Sequence, residues 1–343
     1  MEVDGAQRSG SGTILRMSVA LASILNEELH IYNIRKKRSQ PGLRPQHLES
    51  VLVAAKLSNA EVRGAKIGSE ELWFKPSGIS GGKIEAEIGT AGSIPMLLLG
   101  VLPICAFAKS PVQLHIGKGG TDVRNSPTVN YVRYVLAPML SKMGLEVSID
   151  VRSFGYYPVG MGDVTINVRP AQKLKGLRII EFGEVEEIRG VSVCTFLKER
   201  RVAERQAEAA TKLLGSEGYG AKVEALYDMS NPIQRGSSVV LWAKTTTGAL
   251  LGGDSIGELR KTSEAVGKEA ALNLLEELRA RATVDVHMAD MLIPYVALAQ
   301  GGSEFLVRSM TEHLQTNIWL AEELLGTKFV SQKSGNLYRI EKI

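Results

Sequence analysis

A succession of apolar periodicities that recurs along the chain restricts the fold more than any other feature. The stretch ILRMSVALASIL (14–25) carries apolar residues at helical spacing, ELHIYNIR (28–35) reads as a strand, and QHLESVLVAAKLS (46–58) reads as a second helix. Two strands follow, near 61–66 and 71–75. The same order then returns: a helix over about 91–107, a strand VQLHIG (112–117), a helix VNYVRYVLAPMLSKM (129–143), and strands over 145–152 and 163–169. After a gap it returns again, with a helix over 289–299, a strand EFLVRS (304–309), a helix over 313–325, and strands near 328–332 and 336–341. Three modules of roughly 55 to 80 residues each are the signature of internal duplication. The expected class is α+β, with helix-strand-helix-strand-strand as the repeated unit.

Between the second and third copies the plan changes. The segment 181–283 offers a strand VEEIRGVSVCTF, a helix over 201–214, strands AKVEALY and SSVVLWAKT, a glycine-rich turn and a long helix over 262–281. The charges of RVAERQAEAATKLL (201–214) fit a solvated helix face. The expectation is therefore a catalytic body of residues 1–180 and 284–343, interrupted by a smaller inserted α/β domain at 181–283.

Bulk composition narrows the class further. With 343 residues, 44% of them hydrophobic and 23% charged, the chain can bury a sizeable core. The longest apolar stretch, IPMLLLGVLPICAFA (94–108), is too short to span a bilayer and holds two prolines, so the expected compartment is the cytoplasm. Cys105 and Cys194 are too few and too far apart for a disulfide framework or a cysteine metal site. The net charge of +4 is too mild to establish nucleic-acid binding by itself.

Local clusters carry more chemistry. Glycine-bearing turns at DGAQRSGSGTILR (4–16), GTAGSIP (89–95), GKGGTD (117–122) and YYPVGMGD (156–163) let backbone N–H groups approach an anion, and helices follow the first two. None matches a P-loop or a dinucleotide-binding fingerprint, and each fits an ordinary turn as well. In NIRKKRSQPGLRPQHL (33–48), Arg35 and Arg38 suit paired contacts to phosphate, while a surface loop is the plainer alternative. HMAD (287–290) puts His287 and Asp290 on one helical face. TEHLQTNIW (311–319) places His313 at the opening turn of an amphipathic helix, with Ser309 and Glu312 as a capping box. Such a terminus favours a neutral histidine facing an anion; a surface residue with no chemical duty fits the same pattern. H-E-x-x-H, paired C-x-x-C, G-x-S-x-G and Lys-x-Asp-Gly motifs are absent from the sequence, and EVDG (2–5) has valine where a lysine nucleophile would stand.

Taken in order across nearly the whole chain, DGAQ...GSGTILR, IR..R..PGL..QHL, IGTAGS, GGTDV..SP..NYV, GYYPVGMG, HMAD and EHLQTNI resemble the RNA 3'-terminal phosphate cyclase family. The resemblance implies three repeated units plus one inserted domain, an architecture related to that of the enolpyruvyl transferases, so fold alone does not fix the reaction. It implies that His313 is the nucleophile, taking AMP from ATP and passing it to an RNA 3'-phosphate, which the neighbouring 2'-hydroxyl then closes to a 2',3'-cyclic phosphate. By position it sets Arg16, Arg35 and Arg38 near the phosphates, Gln46 and His47 after them, and Asp290 near the nucleotide. Pro127, Tyr131 and His287 fall where residues pack about adenine. Mg2+ or Mn2+ is the implied metal, with its protein ligands unassigned; RNA with a 3'-phosphate end and ATP are the implied partners, and exposed edge strands allow a homodimer.

The chain also departs from the family pattern. Ser9, Gly10, Ser11, Gly12 and Thr13 stand where the family usually reads Glu-Gly-Gly-Gly-Gln, removing a carboxylate. Gly100 replaces a common glutamine, Met161 interrupts a triple glycine, and Met291 replaces the glutamine after Ala-Asp. A non-catalytic relative that binds RNA or a ribosome-assembly partner is the alternative reading, with an enolpyruvyl transferase-like enzyme behind it.

Overall fold

The computed structural model describes residues 1–171, 173–231 and 233–343, and the fold is mixed α+β. The chain opens with β1 (Glu2–Asp4), α1 (Gly12–Leu25), β2 (Leu29–Tyr32), α2 (Pro45–Ser58), β3 (Glu61–Arg63) and β4 (Leu72–Lys75). These strands form a sheet of order β1-β2-β4-β3, in which β1 is parallel to β2 and the other pairings are antiparallel. Next come β5 (Gly82–Glu87), α3 (Ile94–Cys105) and β6 (Val112–Gly119). A continuous helical stretch follows, made of α4 (Val129–Tyr131), a π-helical turn (Val132–Leu136) and α5 (Ala137–Lys142), and then β7 (Glu146–Ser153) and β8 (Gly162–Arg169). The second sheet has order β5-β6-β8-β7 with the same sense of pairing.

β9 (Arg178–Ile179) starts a third sheet that the chain leaves at once. It first builds β10 (Val185–Thr195), α6 (Val202–Ser216), β11 (Ala221–Asp228), β12 (Gly236–Thr245), β13 (Leu250–Ile256) and α7 (Ser263–Ala280), a separate sheet of order β11-β10-β12-β13. It then returns through α8 (Val286–Leu298), β14 (Ser303–Val307), α9 (Glu312–Leu325), β15 (Phe329–Ser334) and β16 (Leu337–Lys342), completing the sheet β15-β16-β14-β9. No helix among the described residues is long and apolar enough to cross a membrane.

Four details differ from the sequence reading. β1, β5 and β9 are short or largely exposed, so they lack the apolar alternation that marks a strand. The glycine-rich stretch expected to turn is β13, paired along its length with β12. Its glycines are close-approach positions: a Cβ on Gly252 would lie 2.5 Å from the Tyr131 ring, and one on Gly253 would lie 2.5 Å from the Leu274 nitrogen. The helix at 129–142 contains a π-helical turn, which periodicity alone does not reveal. Finally, α9 is capped by Thr311, whose hydroxyl accepts the Leu314 N–H at 3.0 Å, and not by Ser309.

The main core runs through all parts of the chain, joining Leu15, Leu97, Leu136, Val193, Leu292 and Phe305. A second core lies between α6 and α7 and the sheet of β10 to β13, where Leu214, Leu241, Leu251 and Leu274 meet. Burial of each such leucine stabilises the fold by about 1.5–3 kcal/mol.

Candidate active site

Helices converge on a cavity of about 410 Å³. Its wall takes Thr13 and Arg16 from α1, Met96 and Leu99 from α3, His287, Asp290 and Met291 from α8, and His313 and Asn317 from α9. Pro127 and Tyr131 close it on another side, with Asp254 of β13 and Asn273 of α7 beside them. Thr13, His287 and His313 are each the second residue of their helix, in the first turn, where the N–H groups have no partner within the helix and partial positive charge lies. The caps that start these helices are Ser11, Asp285 and Thr311.

His313 is half-buried, and its Nδ1 lies 3.3 Å from Thr13 Oγ1. The same hydroxyl accepts an N–H from Arg16 Nη2 at 3.3 Å, so arginine, threonine and imidazole form one chain. Burial, with Arg16 and Arg38 next, holds the His313 pKa below the ordinary histidine value. The ring is therefore neutral and nucleophilic at neutral pH.

Arg16 is 8% exposed, and burial lowers its pKa to about 10, still well above neutrality. Among the described residues no carboxylate stands within ion-pair distance of it. Asp290 acts on it through charge without closing an ion pair, so the buried guanidinium makes the cavity an attractor of anions. Its stem needs room, which Gly100 supplies: a Cβ there would lie 2.5 Å from Ser50 Oγ and 3.2 Å from the Arg16 Cγ. Gly12 does the same for His47, whose Nε2 would lie 2.2 Å from a Cβ at that position.

Asp290 is pushed up to about 8, chiefly by burial and then by Asp285, with Arg16 acting in the opposite sense. Its backbone is held by a device that sequence shows only in part. Pro294 has no N–H to give, which leaves the Asp290 carbonyl without its helical donor, and Asn317 Nδ2 donates to that carbonyl at 2.7 Å. Asn317 lies one turn beyond His313, so this bond ties the two helix faces together.

The other expected residues are placed as follows. Tyr131 is buried, and its hydroxyl donates to Asp285 Oδ1 at 2.7 Å. His287 is exposed at the cavity rim, and Pro127 is half-buried. Arg35, Arg38, Gln46 and His47 do not line the cavity. The Arg35 guanidinium donates to the Gln40 and Gly42 carbonyls at 2.7 and 2.8 Å, bracing its own loop. Gln46 accepts the Ser93 N–H at 2.6 Å, and buried His47 accepts the Arg44 N–H at 3.3 Å, forming part of the start of α2. Arg35 and Arg38 still act on the cavity through charge: Arg35 lowers the pKa of both Arg16 and His47, and Arg38 that of His313. Thus the structure brings together Arg16, Pro127, Tyr131, His287, Asp290 and His313, and sets the other four behind or beside them.

The sequence pattern of the family described as RNA 3'-terminal phosphate cyclase matches residues 7–331. The chain belongs to the RNA 3'-terminal phosphate cyclase family. An RNA 3'-terminal phosphate cyclase of Pyrobaculum neutrophilum is 43% identical over 99% of this chain and 97% of its own length. Those of Caldivirga maquilingensis and Pyrococcus furiosus are 44% and 42% identical, over 94% and 95% of this chain and 92% and 94% of theirs. A solved EPSP synthase from Acinetobacter baumannii aligns with 95% of this chain and 61% of its own, at 12% identity and a TM-score of 0.29, a likeness too loose to bear on fold or function.

Four further residues of this cyclase-family chain reach the cavity or its hydrogen bonds: Thr13 and Asn317, which lie inside quoted motifs without a role assigned to them, and Asp254 and Asn273, which carry no sequence signal. Ser9, which stands where the resemblance expects a glutamate, bonds to Ser11 at 3.0 Å, and Ser11 caps α1. Among the described residues no group of three or more His, Cys, Asp or Glu side chains is placed to hold a metal ion. The described residues thus do not form a cage for the Mg2+ or Mn2+ that the resemblance implies.

Proposed function

We propose that this chain is an ATP-dependent RNA 3'-phosphate cyclase with His313 as its nucleophile. The observation that carries the reading is the neutral imidazole of His313 beside the buried cation of Arg16, which closes no ion pair, in one cavity. An electron pair on the ring attacks the α-phosphorus of ATP; the phosphorus–nitrogen bond forms as the bond to pyrophosphate breaks, and pyrophosphate departs with that pair. AMP then passes to an oxygen of the RNA 3'-phosphate, releasing the imidazole. The adjacent 2'-hydroxyl attacks that 3'-phosphorus, loses its proton to solvent and expels AMP, leaving the 2',3'-cyclic phosphate.

The Thr13 contact supports attack by Nε2. If Nδ1 keeps its proton and donates to Thr13 Oγ1, which also accepts from Arg16, the in-plane pair of Nε2 is free. Arg16 steadies the charge of the transferring phosphoryl group, with Arg35 and Arg38 adding field from behind. Asp290 would contact the nucleotide; Pro127, Tyr131 and His287 would enclose the base; Gln46 and His47 would hold α2 and α3 in place around them. The three sheets of like order are best read as copies of one unit forming a catalytic body of 1–180 and 284–343. Residues 181–283, with a sheet and core of their own, are then the inserted domain.

The test is covalent labelling. Protein incubated with α-phosphorus-labelled ATP and magnesium should acquire acid-labile label, and His313→Ala should abolish it. Absence of label with both magnesium and manganese would favour the alternative, a non-catalytic RNA-binding or ribosome-assembly relative. That alternative gives no reason for a buried, unpaired Arg16 beside a neutral imidazole.

A further inference from the structure

The base end of the cavity holds a carboxylate that the reaction above does not use. Asp254 lies on β13, in the segment 181–283, and its Oδ2 accepts the Thr128 N–H at 2.8 Å, one residue beyond Pro127. The positive charge that His287 can carry acts on the same carboxylate. Asp254 thus lies beside the Pro127–Thr128 turn and within electrostatic reach of His287, at the junction of the main cavity with a neighbouring one of about 200 Å³. Its backbone is fixed as well: Asn273 Nδ2 of α7 donates to the Asp254 carbonyl at 3.0 Å. The close approach of Gly252 to the Tyr131 ring brings β13 near enough for this.

We propose that Asp254 reads the edge of the nucleobase, accepting a hydrogen bond from a 6-amino group, so that 6-aminopurine triphosphates are preferred over 6-oxopurine ones. This rests on the nucleotide reading of the cavity given above. A carboxylate accepts hydrogen bonds, and an amine donates them. A 6-oxo group would instead set an oxygen against an oxygen, leaving both without a partner. The two-point grip that a carboxylate takes on the N1–H and 2-amino group of guanine needs both oxygens on one edge. Here one of them is turned to the Thr128 N–H. Burial, the main cause, raises the Asp254 pKa, while the Thr128 N–H and then His287 act in the opposite sense and favour the accepting carboxylate. The consequence for the fold is that the segment 181–283, through Asp254 and Asn273, is a specificity element of the nucleotide site.

The experiment compares ATP with ITP and GTP in His313 labelling, and in direct binding by calorimetry, for the native protein and for Asp254→Asn. The native protein should favour ATP over ITP by about tenfold or more, the range of one hydrogen bond to a charged or strongly polar partner. Asp254→Asn can keep the Thr128 N–H on its oxygen while presenting an amide N–H to the base, so ITP should improve in absolute terms and the ratio should fall at least tenfold. A purely structural role would lower both nucleotides together and leave the ratio unchanged, and that result overturns the proposal. Stronger binding of GTP than ATP to the native protein also overturns it. If ATP binds with the expected preference but never labels the protein, the covalent chemistry fails while the assignment of Asp254 stands. If labelling proceeds equally with ATP and ITP in both proteins, the chemistry stands and the assignment of Asp254 fails.

Discussion

On the proposed reading, in which Nδ1 donates to Thr13 Oγ1, that contact is what leaves Nε2 of His313 free. The hydroxyl between Arg16 and Nδ1 fixes the imidazole orientation, so Thr13→Ala should lower the rate of adenylation by about ten- to a hundredfold, in the range expected of a misoriented nucleophile, while Thr13→Ser retains most of it. Rapid-quench measurement of label incorporation separates this from a folding defect, which would spare the rate per folded molecule. The depressed pKa of His313 also sets a pH dependence. A ring that holds its proton less tightly than ordinary histidine stays neutral as pH falls past 6.5, so adenylation should remain on its plateau there and decline only at lower pH. Since Arg38 contributes to that depression, Arg38→Gln should move the acid limb of the profile upward. An unmoved limb would show that the Arg38 charge is screened from the ring. At this scale the sequence was readable where a residue was distinctive. His313 stood out as one of 5 histidines, at a helix start. Thr13, Asp254 and Asn317 did not, because short polar side chains are ordinary turn and cap residues until tertiary contact gives them a partner.

Asp285 links elements that are far apart in the chain. Its Oδ1 accepts from the Tyr131 hydroxyl at 2.7 Å and from the His287 and Met288 N–H groups at 3.0 and 2.9 Å, and its Oδ2 accepts the Gly252 N–H at 2.9 Å. One buried carboxylate thereby caps α8, holds a cavity wall and anchors β13. Asp285→Asn exchanges one accepting oxygen for an N–H, setting donor against donor. It should raise the KM for ATP severalfold with a smaller change in kcat, and cost about 1–3 kcal/mol of stability; Tyr131→Phe, which loses a single bond, should do less of both. Steady-state cyclisation and denaturant unfolding together test this pair. The long amphipathic helices were legible because apolar residues recur at their period. β13 was misread because its glycines, there to admit the Tyr131 ring and α7, look like turn residues in one dimension. The π-helical turn and the two-residue β9 leave no periodic trace at all.

Across the whole molecule, buried carboxyls make stability depend on pH. Asp122 and Glu277 are raised to about 7 and Asp290 to about 8, each chiefly by burial. Between the ordinary carboxyl value and these figures the folded chain binds protons that the unfolded chain releases, so stability is fully present at acid pH and is lost as pH rises toward 8. Buried His47 acts in the other direction: held at about 2, it refuses a proton that the unfolded chain binds below 6.5, and stability declines with acidification from there. Thermal melts should therefore show higher stability near pH 6.5 than near pH 8.5. Asp290→Asn should stabilise the protein more at pH 8.5 than at pH 5, the difference being at least about 1.4 kcal/mol, the free energy of a tenfold change in proton affinity. Equal effects at both values would show that Asp290 is ionised throughout. The Thr13–His313 contact, finally, spans 300 positions of the chain. The two sides of the cavity are thus made far apart in time on the ribosome, and its wall, which needs α8 and α9 as well as α1, cannot close before α9 has been synthesised.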